Sequence, residues 1–449
     1  MASADGTLPK LTQELSTLHI SPVAQPSAIS ALFPEILCYI FILARPPLEG
    51  HSSLDNRLPP QRQLTIAEPG FRQLGSPWSL AQVCSSWRSI ALAYGPLWST
   101  IVVPQPNHRA CSSFYLKLLL ERSGSAPLDV LIRFNGWSLM GEMFHTIVVH
   151  RARWRSLWLE CDAGRLPPYE FSDSKLGELP LLRYLTLSGK RGLHLNKWFY
   201  SMLSDAPNLQ SVALRSPGHN THRHIVLPWA QLTSYQGSYR DPSVHFARLS
   251  AASQLVECDL DFGDSNVPIH FPSDLGVVTL PHLRRLVITD TEFLQHLVAP
   301  SLQELQVHGV IDHVPSFIHR SACVLTRLTL FMCTSPASQV VTLLQLTSSI
   351  TALDLDFWGT ADGFSVGSPT FFGSSVGTAV LINALTIRAD DTAVKPICPR
   401  LASLSWGDRH DVLDRESFAN MVESRWRLLD PPGQLRFVGM YFRRRRVGR

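Results

Sequence analysis

The chain has 449 residues, of which 45% are apolar and 17% are charged, fewer charged residues than the roughly 25% of an average soluble domain. This composition suffices for a large buried core and excludes global disorder. Residues 425–449 hold eight Arg and one Asp, so they account for the net charge of +4, and the rest of the chain is slightly acidic. A broad basic face for nucleic acid is therefore not expected.

The apolar runs and the cysteines restrict the cellular setting that we expect. No run approaches the ~18 apolar residues of a membrane span, and the N-terminus lacks the basic and apolar regions of a secretory signal. Eight cysteines are scattered without a CxxC pair, which favours a reduced cytosolic or nuclear compartment over a disulfide framework. The basic run Arg443–Arg446 leaves three alternatives: a nuclear address, a contact with an anionic surface, or a charged end that keeps the chain soluble.

The first predicted element is an amphipathic helix over Leu32–Ala44, preceded by a polar, mobile arm over residues 1–28. Pro34 suits the first helical turn, where its missing N–H costs nothing. One face of this helix carries apolar residues at helical spacing: Ile36, Leu37, Ile40, Phe41 and Ala44. Six prolines follow between residues 45 and 78, so we expect a poorly ordered loop there.

The stretch Ser79–Ile101 predicts a second short amphipathic helix. Ser79, with Gln82 three residues later, fits a capping box, and Gly95-Pro96 supplies a stop signal. The apolar face of this helix comprises Leu80, Val83, Cys84, Trp87 and Ala91. Neither helix is long enough to be stable alone in water, so we expect them to pack on each other and on another surface.

Three short stretches in these helices resemble the motif of F-box proteins. They are Leu32-Phe33-Pro34-Glu35-Ile36-Leu37, Val83-Cys84-Ser85-Ser86-Trp87-Arg88 and Leu97-Trp98. Residues 29–98 are thus similar to the F-box-like domains abundant in fungi, with the loop 45–78 inserted. Two features depart from the family pattern: Phe33 replaces a smaller residue or a proline, and the insertion interrupts the motif.

The resemblance implies that the protein docks on a Skp-type adaptor and, through it, on a cullin ubiquitin ligase. The anchor residues that it implies are Leu32, Pro34, Ile36, Leu37, Ile40, Phe41, Val83, Cys84 and Trp87. Glu35 and Arg88 would be polar contacts at the rim of that surface. The alternative is an ordinary helical hairpin that caps a larger domain.

After Trp98 the pattern changes to short apolar strands that alternate with helices. The first predicted units are a strand over Leu97–Val103, a helix over Ser112–Arg122, a strand over Leu128–Phe134, a helix over Leu139–His150 and a strand over Trp154–Leu159. From there an L-x-x-L-x-L pattern recurs every 19 to 32 residues. Its copies begin at Trp154, Leu182, Leu209, Leu232, Leu255, Leu283, Leu302, Leu325, Ile350, Ile382 and Leu401.

This spacing is that of leucine-rich repeats. Each copy predicts a strand with one buried face, and neighbouring copies must stack because none can bury that face alone. The repeats are degenerate, since the Asn or Cys expected after the last Leu is kept only at Cys333. The predicted fold is α/β: an N-terminal F-box helical hairpin followed, over residues 99–442, by a curved leucine-rich-repeat-like solenoid with parallel strands. Residues 443–449 form a basic tail.

The C-terminal part of the predicted solenoid reads as a cap. Asp414–Leu428 predicts a helix, and its apolar face comprises Phe418, Met421, Val422 and Trp426. Two prolines and a glycine after Asp430 end the helix. A last strand is predicted over Leu435–Phe442.

The chain offers little that predicts catalysis or metal binding. It has no phosphate-binding GxxxxGK[ST], no dinucleotide-binding GxGxxG and no GxSxG elbow, and the Gly/Ser stretch 363–377 reads as a flexible loop. His219, His222 and His224 offer nitrogen ligands but no nearby carboxylate or thiolate, so a solvated loop is favoured over a metal site. The pairs Asp259/Asp261 and Asp354/Asp356 are each expected on one face of a strand. The sequence leaves two alternatives for them: contacts with a partner, or solvated strand positions.

These observations favour a binding protein over an enzyme. We expect a substrate-recognition subunit of an SCF-type E3 ubiquitin ligase, which binds a Skp-type adaptor through the F-box and a client protein through the repeats. We expect no catalytic residues, cofactor or metal, and no nucleic-acid or membrane partner. The alternative is an F-box and leucine-rich-repeat scaffold without a ligase role, and an enzyme on a solenoid would require a pocket with converging titratable groups.

Overall fold

The computed structural model describes residues 29, 32–44, 76–103, 113–134, 140–161, 179–189, 197–215, 225–263, 269–272, 274–356, 375–388, 396–407, 413–427 and 434–441. Several predicted features lie outside these residues: the N-terminal arm, most of the proline-rich loop, the three histidines of residues 219–224, nearly all of the Gly/Ser stretch, and the basic tail.

The protein is a mixed α/β structure with a 13-stranded parallel sheet. The described strands are β1 Thr100–Val103, β2 Leu128–Phe134, β3 Trp154–Cys161, β4 Tyr184–Ser188, β5 Ser211–Arg215, β6 Ser234–Ser238, β7 Glu257–Asp261, β8 Val278–Thr279, β9 Arg285–Ile288, β10 Leu297–Val298, β11 Glu304–His308, β12 Arg327–Phe331, β13 Ala352–Asp356, β14 Ser403–Gly407 and β15 Phe437–Tyr441. In the large sheet the strands follow one another in chain order, and β8 pairs separately with β10. All of these pairings are parallel.

The register aligns equivalent apolar positions across the sheet. Leu286, Leu305, Leu328, Leu353 and Leu404 are successive partners on β9 and β11–β14, and all five are buried. Side chains alternate between the two faces of a strand, so this alignment collects the leucines of each copy on one face. The interior is the continuous apolar cluster on that face.

Helices link many of the successive strands, as parallel pairing requires. The described α-helices are α1 Pro34–Leu43, α2 Pro77–Leu80, α3 Ser85–Ala93, α4 Ser113–Arg122, α5 Met140–Val148, α6 Lys197–Ser204, α7 Pro242–Ala251, α8 Val314–Ser321, α9 Ala337–Leu346, α10 Ser375–Leu385 and α11 Arg415–Arg427. Short 3-10 helices cover Gly95–Trp98, Arg151–Arg153, Trp229–Gln231 and Thr291–His296. Buried residues of helices such as α9 belong to the same apolar cluster as the strands.

One predicted repeat strand is wrong: Ile382 lies in helix α10. Leu381, Ile382 and Leu385 are buried there, at the i, i+1 and i+4 spacing of a helix side. The stretch Leu381–Ile387 therefore satisfies a helical pattern as well as a strand pattern, and a short apolar run cannot distinguish the two by periodicity.

The predicted C-terminal helix is confirmed as α11, with Phe418 and Met421 buried as expected and Val422 packed on the core, but the prediction for Trp426 is wrong. Trp426 is 61% exposed, whereas Arg425 is fully buried. The Arg425 guanidinium donates hydrogen bonds to the carbonyl oxygens of Leu385 (2.6 Å), Ile397 (2.6 Å) and Cys398 (3.1 Å). Burying an arginine is tolerated here because carbonyl groups replace its water, and the helix consequently turns Trp426 outward.

Among the described residues, the first strand differs from the predicted one. The predicted strand over Leu97–Val103 is shorter, because Gly95–Trp98 is a 3-10 turn and only β1 is extended. Six of the cysteines that the structure describes are free thiols: Cys38, Cys84, Cys258, Cys323, Cys333 and Cys398. Within the described ranges, no helix combines the length and apolar character that crossing a membrane requires.

Candidate functional site

Helix α1 is apolar on two sides, and only one of them is covered. Leu37 and Phe41 are 3% and 0% exposed, whereas a second set of apolar side chains faces outward. This set, which we call the apolar stripe, consists of Phe33 at the N-cap with Ile36, Tyr39, Ile40 and Leu43. At 100° per residue these five positions fall within an arc of about 120°. A helix that is apolar on nearly all sides is usually buried, so the stripe is a candidate contact surface.

The covered side of α1 packs inside a small helical module. We use this name for α1, α2, α3 and the 3-10 turn Gly95–Trp98. Its interior is an apolar cluster separate from the main core and comprises Leu37, Phe41, Leu80, Ala81, Ala91, Leu97, Trp98 and, from α4, Leu119. The rings of Phe41 and Trp87 pack with their centroids 4.9 Å apart, and the indole N–H of Trp98 donates to the Ala91 carbonyl at 2.7 Å. Helices α1 and α3 are therefore in contact despite the loop inserted between them.

The predicted second helix is interrupted, which corrects the predicted cap. Ser76, rather than Ser79, caps α2, since its side chain accepts a hydrogen bond from the Ser79 N–H. A turn follows the four residues of α2, and α3 then begins with the Cys84 thiol accepting from the Trp87 N–H. The break exposes Val83 and Cys84, because a continuous helix would have placed both beside Leu80 on its apolar face.

The predicted anchor residues divide into three groups. Those that are exposed are Pro34, Glu35, Ile36, Ile40, Val83, Cys84 and Arg88. Leu32 and Trp87 are half-buried and pack on the interior of the module. Leu37 and Phe41 are buried, so we assign them to the packing of the module and no longer to a contact surface. Arg88 also has an internal role, because its Nε donates to the Ala81 carbonyl at 2.9 Å.

Three exposed residues of the stripe were not among the predicted anchors: Phe33, Tyr39 and Leu43. Their signal was present in the sequence. Ile36, Tyr39 and Leu43 are spaced i, i+3 and i+7, which marks a second apolar side at an angle to Leu37 and Phe41. Helix α1 therefore has two apolar sides in its sequence, and the prediction used only one of them.

An aromatic junction attaches the module to α4. Trp78 and Trp98 meet edge to face with centroids 4.8 Å apart, and the Arg122 guanidinium lies 4.5 Å from each ring centroid. The indole N–H of Trp78 donates to the Tyr115 hydroxyl at 3.2 Å. Burial lowers the pKa of Arg122, yet the aromatic faces favour its cationic form. These contacts fix the module against the first helix of the sheet region.

The other large surface is the open face of the sheet, by which we mean the face opposite the main core. Polar side chains line it over several strands. Arg215 donates to the Gln236 side-chain oxygen (3.0 and 2.6 Å), and the Gln236 amide donates to Asp259 at 2.7 Å. Asp261 accepts from the Ser238 hydroxyl at 2.8 Å. Asp259 and Asp261 thus each accept a hydrogen bond from a side chain of β6.

Asp259 is the most strongly perturbed carboxyl group of this face. It is only 4% exposed, and its burial, together with the neighbouring charge of Asp261, raises its pKa to about 7. Arg215, Gln236 and Arg285 oppose this rise. The carboxyl group therefore changes its protonation state near neutral pH.

Towards the C-terminus, the open face contains a groove of about 340 Å³ between β9 and β15. Charged residues line it (Arg285, Glu304, Arg327, Asp354 and Asp356), and so do Phe331 and Phe437. The described lining includes Thr and Ser hydroxyls but no His, Lys or Cys that could activate them. The groove thus combines charged, hydroxyl and aromatic side chains.

No group of three or more His, Cys, Asp or Glu side chains within the described ranges could hold a metal ion. No protein-family model matches the sequence, and no curated protein is significantly similar to it.

Proposed function

We propose that this protein is an F-box-type substrate receptor of an SCF-type E3 ubiquitin ligase. The helical module binds a Skp-type adaptor, and the sheet region binds a client protein. The single observation that carries the proposal is the apolar stripe, which coincides with the first part of the F-box-like motif and has no described partner surface covering it.

The stripe has the chemistry of a helix-in-groove contact. Phe33 is 75% exposed and Leu43 is 65% exposed, and removing such apolar area from water stabilises an association by roughly 25 cal/mol per Å². Side chains spaced along one helix side are the usual anchors of an amphipathic helix in a partner's groove. Exposed Glu35 lies on the same helix and would provide a polar contact at the rim.

The packing of the module also supports adaptor binding. A rigid surface binds more tightly than one that must first become ordered. The Phe41–Trp87 contact and the aromatic junction at Arg122 hold α1 in a defined position. The inserted loop, the feature of the sequence that most departs from the family pattern, does not separate the two helices.

The sheet region supports the second half of the proposal. We infer that residues 99–442 form a leucine-rich-repeat-like solenoid, because strand order follows chain order and the aligned leucines recur from strand to strand. Stacked repeats of this kind offer one extended face to partners. The open face, with its polar networks and its groove, is the surface that we assign to the client.

Adaptor binding can be tested with purified full-length protein and a Skp-type adaptor, by biolayer interferometry. Ile36→Asp and Ile40→Asp should each weaken binding more than about tenfold, because each places a charge in the apolar contact. Val324→Asp is the matched control: Val324 is 62% exposed but lies beside β12 in the sheet region, so its replacement should leave adaptor affinity unchanged.

The same experiment can refute the proposal. If the protein fails to bind the adaptor, or if the two stripe variants bind it as well as the wild type while remaining folded, the stripe is not the docking surface. Recovery of a cullin together with the adaptor from cells would separate a ligase receptor from a scaffold without a ligase role. Trp87→Ala is less informative, because Trp87 packs on Phe41 and its loss also perturbs the module.

A further inference from the structure

We propose that helices α9 and α10 form the interface between two copies of this protein, which associate into a weak symmetric dimer. Both helices lie on the core side of the sheet, because their buried residues belong to the main core cluster. The open face lies on the opposite side, and the helical module adjoins β1 at the other end of the strand order. The inference is therefore independent of the proposed receptor function.

Helices α9 and α10 carry no charged residue. Their sequences are ASQVVTLLQL and SVGTAVLINAL, and the two helices are in contact with each other. Their exposed residues, which we call the neutral patch, are Ser338, Gln339, Thr342, Gln345 and Leu346 of α9, with Val376, Ala379, Val380 and Asn383 of α10. The neutral patch therefore covers the outward side of two adjacent helices.

The helices on either side of the neutral patch do present charges to solvent. Helix α8, which contacts α9, exposes Arg320, and helix α11, which contacts α10, exposes Glu416 and Glu423. The charged residues thus stop at the borders of the patch. Protein interfaces have this arrangement, with few charged residues at the centre and a polar rim around it.

The exposed residues of α10 form one row that points away from the core. Val376 and Val380 are 52% and 42% exposed, and Ala379 and Asn383 are exposed beside them. Their spacing of i, i+3, i+4 and i+7 confines them to an arc of about 100°. The opposite side of α10 is buried in the main core. A helix that is apolar on both sides is usually covered on both, and this spacing is typical of a helix that packs on another helix.

A second copy of this chain is the partner that suits the neutral patch. Charged residues of a different partner would lose their hydration here without gaining a counter-charge. A copy of the same patch brings no charge. The polar side chains of the patch are hydroxyl and amide groups, and each of these can both donate and accept a hydrogen bond. The patch is therefore complementary to itself, as a two-fold interface requires.

The size of the patch sets the strength of the association. Helix α9 has 10 residues and α10 has 11, so the two together cover roughly 15 by 20 Å. A stable complex buries roughly 800 Å² on each partner, which is more than two short helices offer. We therefore expect a dimer that forms and dissociates readily, with a dissociation constant of about 1–100 µM.

Sedimentation equilibrium of the full-length protein tests the inference. The wild type should change from monomer to dimer between about 1 and 200 µM. Val380→Glu should weaken the association at least about tenfold, because the two-fold axis places two new charges in the contact. Val324→Glu is the matched control: Val324 is 62% exposed but lies beside β12, outside the patch. This variant should associate as the wild type does.

A second variant keeps the test decisive should Val380→Glu fail to fold. Asn383→Asp preserves the shape of an exposed side chain and should weaken the association about threefold to tenfold, with partial recovery in high salt. A wild type that stays monomeric over the whole range would overturn the inference. A dimer that both patch variants leave intact, or that Val324→Glu weakens equally, would overturn it too.

The stripe of α1 must be tested in the same experiment, since it is also apolar and exposed. Ile36→Asp should leave the dimer intact, whereas loss of the dimer in this variant would assign self-association to the stripe and overturn the inference. Val380→Glu and Asn383→Asp should in turn leave adaptor binding intact. Failure of the dimer is therefore distinguishable from failure of the proposed function.

Discussion

Phe41 and Trp87 pack ring against ring, with centroids 4.9 Å apart and planes inclined by 57°. The two residues are separated by the proline-rich loop 45–78, so their contact joins the two sequence stretches that flank this loop. Phe41 is fully buried, whereas Ile36, five residues earlier on the same helix, is 49% exposed. One helix thus uses one apolar side for its own packing and leaves the other to solvent.

Phe41→Ala should therefore destabilise the module by about 3–5 kcal/mol, because it leaves a cavity in a fully packed position. Ile36→Ala, the matched control, should change stability by no more than about 0.5 kcal/mol. Hydrogen exchange of the amides in α1, compared across the two variants, measures the effect locally. Equal protection in Phe41→Ala and the wild type would contradict the packing that we describe.

Gly237 occupies the place of the last leucine in the repeat that begins at Leu232. The structure explains why a glycine stands there instead of a leucine. A Cβ atom there would lie 2.2 Å from the hydroxyl oxygen of Tyr235 and 2.9 Å from Cε1 of His245. Gly237→Ala should lower the free energy of unfolding by about 1–3 kcal/mol through overpacking. Thermal unfolding measures the effect. Gly276→Ala is the control variant, because its Cβ would meet Phe246 at an ordinary 3.4 Å. A similar small effect at both positions would refute the prediction.

Arg425 should not tolerate replacement by lysine. Its guanidinium serves three carbonyl groups at once, and the single ammonium group of lysine cannot reproduce that geometry. We expect Arg425→Lys to cost more than about 2 kcal/mol, since buried carbonyl groups would lose their donors. Arg427→Lys is the control, because the Arg427 side chain is 69% exposed in its pair with Glu423 and such a pair contributes little. Urea unfolding of both variants decides the matter, and equal midpoints would argue against a structural role of Arg425.

Asp259 should make stability depend on pH. Its pKa in the folded protein, about 7, is above the ordinary value of 3.8, so the folded state binds the proton more tightly than the unfolded state. Its contribution is then fully favourable below about pH 4 and is lost as pH rises towards 7. Asp259→Asn should abolish this dependence. The free energy of unfolding of the variant relative to the wild type should therefore rise by about 1–3 kcal/mol between pH 4 and pH 8.

Urea unfolding of the wild type and of Asp259→Asn at pH 4, 5.5, 7 and 8 measures this difference. Asn keeps an acceptor for the amide of Gln236, so the comparison isolates the charge. Exposed Asp205 serves as the control site, and Asp205→Asn should follow the wild-type pH profile. A constant difference between Asp259→Asn and the wild type over the whole pH range would show that burial does not raise this pKa.

Local patterns in the sequence predicted many of the elements. The strand over Leu128–Phe134 has the predicted bounds, and the copies beginning at Leu302 and Leu325 became β11 and β12 with their leucines aligned. These predictions succeeded because alternation every second residue is a property of a few neighbouring positions. The prediction at Ile382 was wrong because seven residues with apolar groups at both spacings do not distinguish a helix from a strand.

The candidate surfaces were predicted less completely than the elements. The sequence placed Ile36 and Leu37 on one face of α1, but Leu37 is covered and Ile36 is not. It also placed Asp354 and Asp356 on one face of a strand, without Arg327 and Thr329 of β12, which contact Asp354. Those partners lie in other repeats, so their pairing depends on register and strand order.

The sequence by itself determined where the chain alternates apolar and polar residues, and thus the positions and many of the bounds of its helices and strands. Only the tertiary structure decided which apolar side of α1 is covered, why Arg425 is buried while Trp426 is exposed, and why a glycine, Gly407, lies beside the Asp356 carboxylate. The physical reason is range. Periodicity is fixed by residues a few positions apart, whereas burial and charge pairing are fixed by groups that meet from segments twenty or more residues apart.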